Sequence, residues 1–516
     1  MKILFIYTTY SSLPPETPFE TQDEIPFGIS YISAYLKQHG HETSLFVATQ
    51  KTPFAAFDSE MQDFNPEIVA FSCVASEYGR VRKFAEHCKN KFSGVLSVLG
   101  GAHPSLDPSA EMLDIFDVVC VGEGEIPMLA IANGLEKKAL KLWEVPSIWY
   151  RKEGMLFKNK TCNFIEDLDS LPIPDRDMWQ RWIAKPESRL SILLGRGCPY
   201  VCTYCSNHAL KETAEGSYVR MRSAENIIRE ISEMKRQFPW AQQIYMEVET
   251  FGGGKIDAAL DFCKRLEEYN KSAHEKMLFG INFRVARYIE RFNVLFPAMY
   301  NAGIRFVNIG LESGSEKVRR GILRRNETNE DLIKTVNLAK ASGMQVIMYN
   351  LIGLPYETEE DILETVRMNR LLRPDNHILS IFYPYPGTKL HAMCVELGIA
   401  PDKGMIEVEC ERVEPLRGLP GITSDRVLWY FLWFNLLVAY PESRGYALVK
   451  DLVGRYRWVH RVRGQSLATA ILRCTYDLVQ FSAAKRDFRL FLIFLGVLIS
   501  EGFSRSFSFM SRLGWR

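Results

Sequence analysis

Three cysteines, Cys198, Cys202 and Cys205, follow one another in the spacing C-x3-C-x2-C. They lie in Gly195-Arg-Gly-Cys198-Pro-Tyr-Val-Cys202-Thr-Tyr-Cys205, just after a mostly apolar run, Leu190–Leu194. Thiolates are soft ligands for transition metals. Three on one short loop can hold three irons of a four-iron cluster and leave the fourth iron open for chemistry. The competing use is zinc, which takes four ligands in a tetrahedron. His208 could supply the fourth, extending the spacing to C-x3-C-x2-C-x2-H. Structural zinc sites usually pair ligands from separate segments, so the iron reading is preferred, with a zinc-stabilised binding protein as the non-enzyme alternative.

The other cysteines are scattered: Cys73, Cys88, Cys120, Cys162, Cys263, Cys394, Cys410 and Cys474, 11 in all with the loop. An odd, dispersed set suits a reducing compartment with one ligand cluster, not a disulfide framework. The expected location is therefore cytoplasmic. The start, Met1-Lys-Ile-Leu-Phe-Ile-Tyr, reads as a strand and not as a signal peptide. The longest apolar runs, Val427–Tyr440 and Leu490–Ile499, fall short of the roughly 20 residues that span a bilayer. A net charge of +1 gives no overall argument for nucleic acid.

Two series of elements must position the loop. Residues 1–150 alternate strands (Lys2–Tyr7, Glu42–Val47, Ile68–Ser72, Val95–Leu99, Val118–Val121) with helices such as Gly28–His39 and Arg80–Lys91. Short buried strands between amphipathic helices predict a doubly wound parallel sheet, which binds ligands at the carboxyl ends of its strands. Residues 151–188, centred on Leu171-Pro-Ile-Pro-Asp175, read as a connector. Residues 189–395 then carry six strands (Leu190–Leu194, Gln243–Glu249, Leu278–Arg284, Arg305–Leu311, Gln345–Ile352, Ile378–Pro384) separated by helices. Six βα units predict a partial (β/α)6 barrel with its chemistry on the loops after the strands. Residues 396–516 lose the rhythm and read as mainly helical; 441–516 carry 13 Lys and Arg against 5 Asp and Glu.

The cysteine spacing after the first barrel strand resembles the defining motif of the radical S-adenosylmethionine (SAM) superfamily. That resemblance implies that Cys198, Cys202 and Cys205 bind a [4Fe–4S] cluster whose open iron is chelated by SAM. Later strand ends add to it. The second ends Tyr245-Met-Glu-Val-Glu-Thr-Phe251, resembling the family's F-x-D-D-x-F, with Val248 at the first Asp position and Glu249 at the second. Glu249 is thereby implied to meet the SAM amino group, with Glu247 on the same strand face. The fourth ends Ile309-Gly-Leu-Glu-Ser-Gly-Ser315, implying Glu312 and Ser313 as contacts to the ribose and carboxylate. The fifth, Leu351-Ile-Gly-Leu-Pro-Tyr-Glu-Thr358, resembles the segment that packs on the adenine, with Gly353 allowing close approach. Arg284, after the third strand, could pair with a carboxylate.

The N-terminal series resembles a cobalamin-binding domain. The phrases that carry this are Pro26-Phe-Gly-Ile-Ser-Tyr-Ile-Ser33, Leu99-Gly-Gly-Ala-His-Pro104 and Val121-Gly-Glu-Gly-Glu125. In such domains glycines after the fourth and fifth strands let the backbone lie against the nucleotide tail of cobalamin. Gly100, Gly101, Gly122 and Gly124 are the candidates here, with Ser72 in the same pocket. The usual D-x-H-x-x-G is absent: the loop from Thr8 to Pro26 contains no histidine. His103 is expected to contact the tail or solvent.

Together the resemblances imply a cobalamin-dependent radical SAM enzyme that methylates an unactivated carbon, using a 5′-deoxyadenosyl radical and methylcobalamin. A cyclase or ring rearrangement on the same cofactors, such as tetrapyrrole oxidative ring closure, is the alternative. The implied partners are a small-molecule substrate and an electron donor such as flavodoxin or ferredoxin. The basic C-terminal region reads as a helical cap, with peripheral contact to an anionic membrane as its alternative use. No motif names the substrate.

Overall fold

The computed structural model describes residues 1–439 except 12, 187–188, 254, 274, 286–288 and 402–414. The basic stretch 441–516 lies outside the described residues.

The first sheet holds β1 (Lys2–Thr8), β2 (Glu42–Ala48), β3 (Ile68–Ser72), β4 (Leu96–Gly100), β5 (Val118–Cys120), β6 (Ile148–Lys152) and β7 (Met155–Lys158). Its order is β2-β1-β3-β4-β5-β6-β7. The first five are parallel, and β6 and β7 join antiparallel. The strands of the parallel part are apolar on both faces because helices cover both: Ile3, Leu4, Phe5 and Ile6 are all buried. The strand order reverses between β1 and β3, which opens a crevice at their carboxyl ends.

The stretch 151–188 is not a mere connector. Glu153 and Gly154 both have positive φ and turn β6 into β7, as a two-residue hairpin requires. Trp179 is fully buried, packs edge-on against Tyr7 and Phe19 at 5.7 and 5.6 Å, and donates its indole N–H to Ser30 Oγ at 2.8 Å. Aromatic burial of this kind ties the stretch into the first core.

The second sheet contains β8 (Leu190–Leu193), β11 (Gln243–Glu247), β12 (Leu278–Phe283), β13 (Ile304–Glu312), β14 (Gln345–Ile352) and β15 (Asn376–Ile381). A small ribbon of β9 (Gly195–Arg196) and β10 (Arg220–Met221) stands beside it. The six strands run parallel in the order β15-β14-β13-β12-β11-β8, and β8 and β15 stay unpaired with each other, leaving a partial barrel. Along β14, Val346, Met348 and Ile352 are buried under helices while Ile347, Tyr349 and Leu351 on the other face are only half-buried. Thr328 and Thr358 form capping boxes with Asp331 and Asp361 and start the helices after β13 and β14.

The helix Ser424–Ala439 packs on the helix Glu359–Leu372 and on β15. Trp429 and Trp433 are buried there, in the core as their aromatic run suggests. No helix of the described residues is long and apolar enough to cross a membrane.

Candidate cofactor sites

At the carboxyl end of the first sheet lies a cavity of about 270 Å³. Ser72, Gly100, Gly101, Gly122 and Gly124 all line it, with Phe5, Phe27, Ile32 and Val98 as apolar walls. Glycine is required at Gly101, whereas a side chain at Gly124 would have to shift only the flexible end of Ile32. Gly101 has φ +102°, and a Cβ there would stand 2.6 Å from the Cys73 carbonyl oxygen. At Gly124 a Cβ would stand 2.6 Å from Ile32 Cδ1. Bare backbone next to an apolar slot suits a flat heterocycle with a polar tail, so these residues fit the nucleotide end of cobalamin.

Of the two surroundings expected for His103, solvent is not the one it has. It is buried on the short helix Ala102–Leu106, against the ring of Tyr78 at 4.6 Å, and not open to solvent. Burial lowers its pKa.

The cysteine loop follows β8 and β9. Gly197 has φ +86°, and a side chain there would collide with the Tyr218 carbonyl, so the turn into Cys198 depends on glycine. The loop is anchored at its centre: Thr203 donates its hydroxyl to the Ile322 carbonyl at 2.6 Å and its N–H to the Leu323 carbonyl at 3.3 Å. Cys202 is buried; Cys198 and Cys205 are half-buried. Arg284 Nη1 donates to Cys202 Sγ at 2.7 Å. Burial pushes the Cys198 thiol up to about 11 and raises that of Cys205, and the charge of Glu249 adds to both. Such thiols ionise when a metal takes the proton's place, which suits ligands. His208 is buried, and its Nε2 accepts the Lys389 backbone N–H at 3.3 Å.

The barrel carboxylates face different surroundings. Burial, then the neighbouring charges of Glu249 and Asp23, pushes Glu247 up to about 7. Glu249 is exposed on the same strand end. Glu312 sits at φ +59° beside a register shift between Gly310 and Glu312. It pairs with Arg325 at 3.3 Å, and Arg325 also donates to Tyr204 of the cysteine loop at 3.1 Å. Ser313 is not brought to that side. It is fully buried, and its Oγ accepts the Ser315 N–H at 3.2 Å near Thr365. Gly353 has φ +82°, and the space a Cβ would take lies 3.0 Å from Val427 of the helix Ser424–Ala439.

Gly353 N–H also bonds Glu357 Oε2 at 2.7 Å, with Leu354 N–H at 3.2 Å. Glu357 is fully buried, and burial pushes its pKa to about 8 against the pull of those two donors. The folded chain therefore keeps a proton that the unfolded chain loses as pH rises above 4.5. Stability falls with pH through that window and levels off above about 8. Glu357→Gln keeps the acceptor and removes the titration. Its unfolding free energy is expected to rise relative to wild type as pH goes from 5 to 8, with a gap on the order of a few kcal/mol by chemical denaturation. A gap independent of pH would contradict this.

One feature escaped the sequence reading. The carboxylates of Gly122-Glu-Gly-Glu125 hold the ribbon β9–β10 that stands beside the second sheet. Arg196 pairs with Glu123 at 3.0 Å and Glu125 at 2.6 Å, and Arg220 pairs with Glu123 at 2.9 Å. Arg196 also lines the glycine cavity and stands two residues before Cys198. A second buried cluster joins Glu230 to Arg176 and Arg222, each at 2.6 Å. No local spacing signals the pairs of Arg196 and Arg220, whose partners lie 71 to 97 residues away in sequence.

The architecture defines a doubly wound nucleotide-type domain followed by a partial barrel with a metal-ligand loop. The family model for the radical SAM superfamily matches residues 192–368, and that for the B12 binding domain matches 21–132. The chain thus carries a B12 binding domain followed by a radical SAM domain, a combination whose cofactors are a [4Fe–4S] cluster, SAM and cobalamin. It is 24% identical over 407 residues to an uncharacterized methyltransferase of Pyrococcus horikoshii, covering 78% of this chain and 85% of that one. It is 25% identical over 405 residues to the anaerobic magnesium-protoporphyrin IX monomethyl ester cyclase of Rubrivivax gelatinosus, covering 76% and 69%. The hopanoid C-3 methylase of Methylococcus capsulatus is 23% identical, covering 86% and 81%. Among solved structures, the cobalamin-dependent SAM radical enzyme OxsB with aqua-cobalamin and SAM bound superposes with a TM-score of 0.65 at 17% identity, covering 99% and 75%. That likeness shows the fold.

Proposed function

We propose that this cobalamin-dependent radical SAM enzyme methylates an unactivated carbon of a small-molecule substrate. The observation that carries the reading is that the glycine cavity and the cysteine loop are built onto one ion-pair group, with Arg196 lining the cavity two residues before Cys198. A methyl carrier and a radical source held in fixed register suit transfer to a carbon that no base can activate. The cluster and SAM supply the radical when bound, and cobalamin supplies the methyl group. Cys198, Cys202 and Cys205 hold the cluster, and Glu249 and Glu312 present carboxylates to SAM. Ser72, Gly100, Gly101, Gly122 and Gly124 cradle the cobalamin tail. A low-potential one-electron protein, such as a flavodoxin or ferredoxin, feeds the cluster.

The relative from Rubrivivax gelatinosus favours ring closure as the second reading. Incubation with SAM labelled in its methyl group separates the two. Label in the product is the expected result. Deoxyadenosine formed in step with an unlabelled product would replace methylation with cyclisation or rearrangement. A metal count on anaerobically purified protein is expected to give about four irons and one cobalt per chain, and zinc alone would sink both readings.

A further inference from the structure

Arg284 stands at the carboxyl end of β12, 82 residues from the cysteine that it touches. Its side chain is 11% exposed. Nη1 donates to Cys202 Sγ at 2.7 Å, and the guanidinium carbon lies 3.8 Å from the centre of the Tyr200 ring. Nη2 faces Glu327 at 3.7 Å, a contact longer than a hydrogen bond, and Glu327 is held at 2.5 Å by Arg325 Nε. Nε of Arg284 is buried and has no partner. Its cation is thus clamped by the loop's own aromatic ring and is only loosely engaged by a carboxylate that another arginine already holds.

A guanidinium does not lose its proton in a protein, so this positive charge is permanent. Buried charges are weakly screened. Reduction of a thiolate-held cluster adds one negative charge and takes up no proton. A charge-assisted N–H bond to a ligating sulfur therefore stabilises the reduced state more than the oxidised one.

We propose that Arg284 sets the reduction potential of the cluster held by Cys198, Cys202 and Cys205, raising it into reach of a low-potential one-electron donor. Arg284 is a positioning residue acting through Cys202. The inference rests on the cluster assignment made above.

The test is an EPR-monitored reductive titration of the full-length, anaerobically reconstituted protein without SAM, alongside iron and sulfide counts. Wild type is compared with Arg284→Met, Arg284→Gln and Arg284→Lys. Arg284→Met is expected to lower the reduction equilibrium at fixed applied potential at least tenfold, a shift of about 59 mV to more negative values for one electron. Gln, which keeps a donor, and Lys, which keeps the charge, are expected to fall between. An unmoved potential in Arg284→Met with full iron would overturn the proposal. So would an unmoved potential accompanied by weaker SAM binding, which would make Arg284 a contact to the SAM carboxylate. Loss of iron in all three variants would overturn it in favour of a structural role. If wild type itself gave no four-iron signal, the cluster assignment would fail, not the role of Arg284.

Discussion

Cys202→Ala is expected to lose both the visible absorbance of the cluster and all SAM cleavage. Cys202 is the central and most buried of the three thiols, and the loop around it is fixed by the Thr203 bonds to 322 and 323. Alanine leaves two of the three thiolates, too few to hold a four-iron cluster whose fourth iron is already open. The loss should go well beyond the roughly 10–100-fold that changes around a ligand usually cost. The glycine cavity is built from other residues, so the variant is expected to bind cobalamin still, and that binding separates loss of the cluster from unfolding. A Cys202→Ala protein that cleaved SAM would refute the assignment of the loop.

Glu230→Ala is expected to destabilise the fold by about 3–5 kcal/mol. Glu230 is fully buried, with Arg176 and Arg222 each only 3% exposed. Alanine strands two buried cations. Arg222 retains Asn226 and the Leu193 carbonyl, but Arg176 loses its one ion pair among the described residues. Arg176 lies in the stretch after the first sheet, and Glu230 lies on the helix Ala224–Gln237 beside the second. The damage should therefore appear as easier separation of the two sheets. Chemical denaturation and limited proteolysis would measure it. Replacing all three residues by apolar side chains of similar volume should recover much of the loss, because it removes the charges together. A shift under about 1 kcal/mol in Glu230→Ala would show that water reaches and relieves the pair.

Much of the fold was legible because buried parallel strands are short apolar runs. Lys2–Tyr7 read from sequence is Lys2–Thr8 in the structure, and Gln345–Ile352 is unchanged. The β6–β7 hairpin was missed because Met155 is 59% exposed and Leu156 is 37% exposed, so no apolar run marks it. Its Glu153-Gly154 turn was the available signal. At the site, the cysteine spacing is local and therefore visible. The glycines were visible as candidates because the turns that need them are local too.

Ser313 shows the limit. It was implied by the resemblance of Ile309–Ser315 to a family strand end, and such a likeness does not fix where a side chain goes beside an irregular strand end; Ser313 Oγ lies by Thr365 Oγ1. Arg196, and the bond of Arg284 to Cys202 as distinct from its expected carboxylate partner, were unreadable for another reason. Their partners come from other elements, and no spacing rule links residues that only the tertiary fold brings together.

The ion pairs from Arg196 and Arg220 to Glu123 and Glu125 also bear on how such chains can be recombined. The N-terminal sheet is not a cassette. A chimera that imports a foreign first domain without the Glu123 and Glu125 carboxylates would leave two guanidiniums unmatched at the seam, one of them two residues from Cys198. Grafts should be cut so that both halves of the seam come from the same parent.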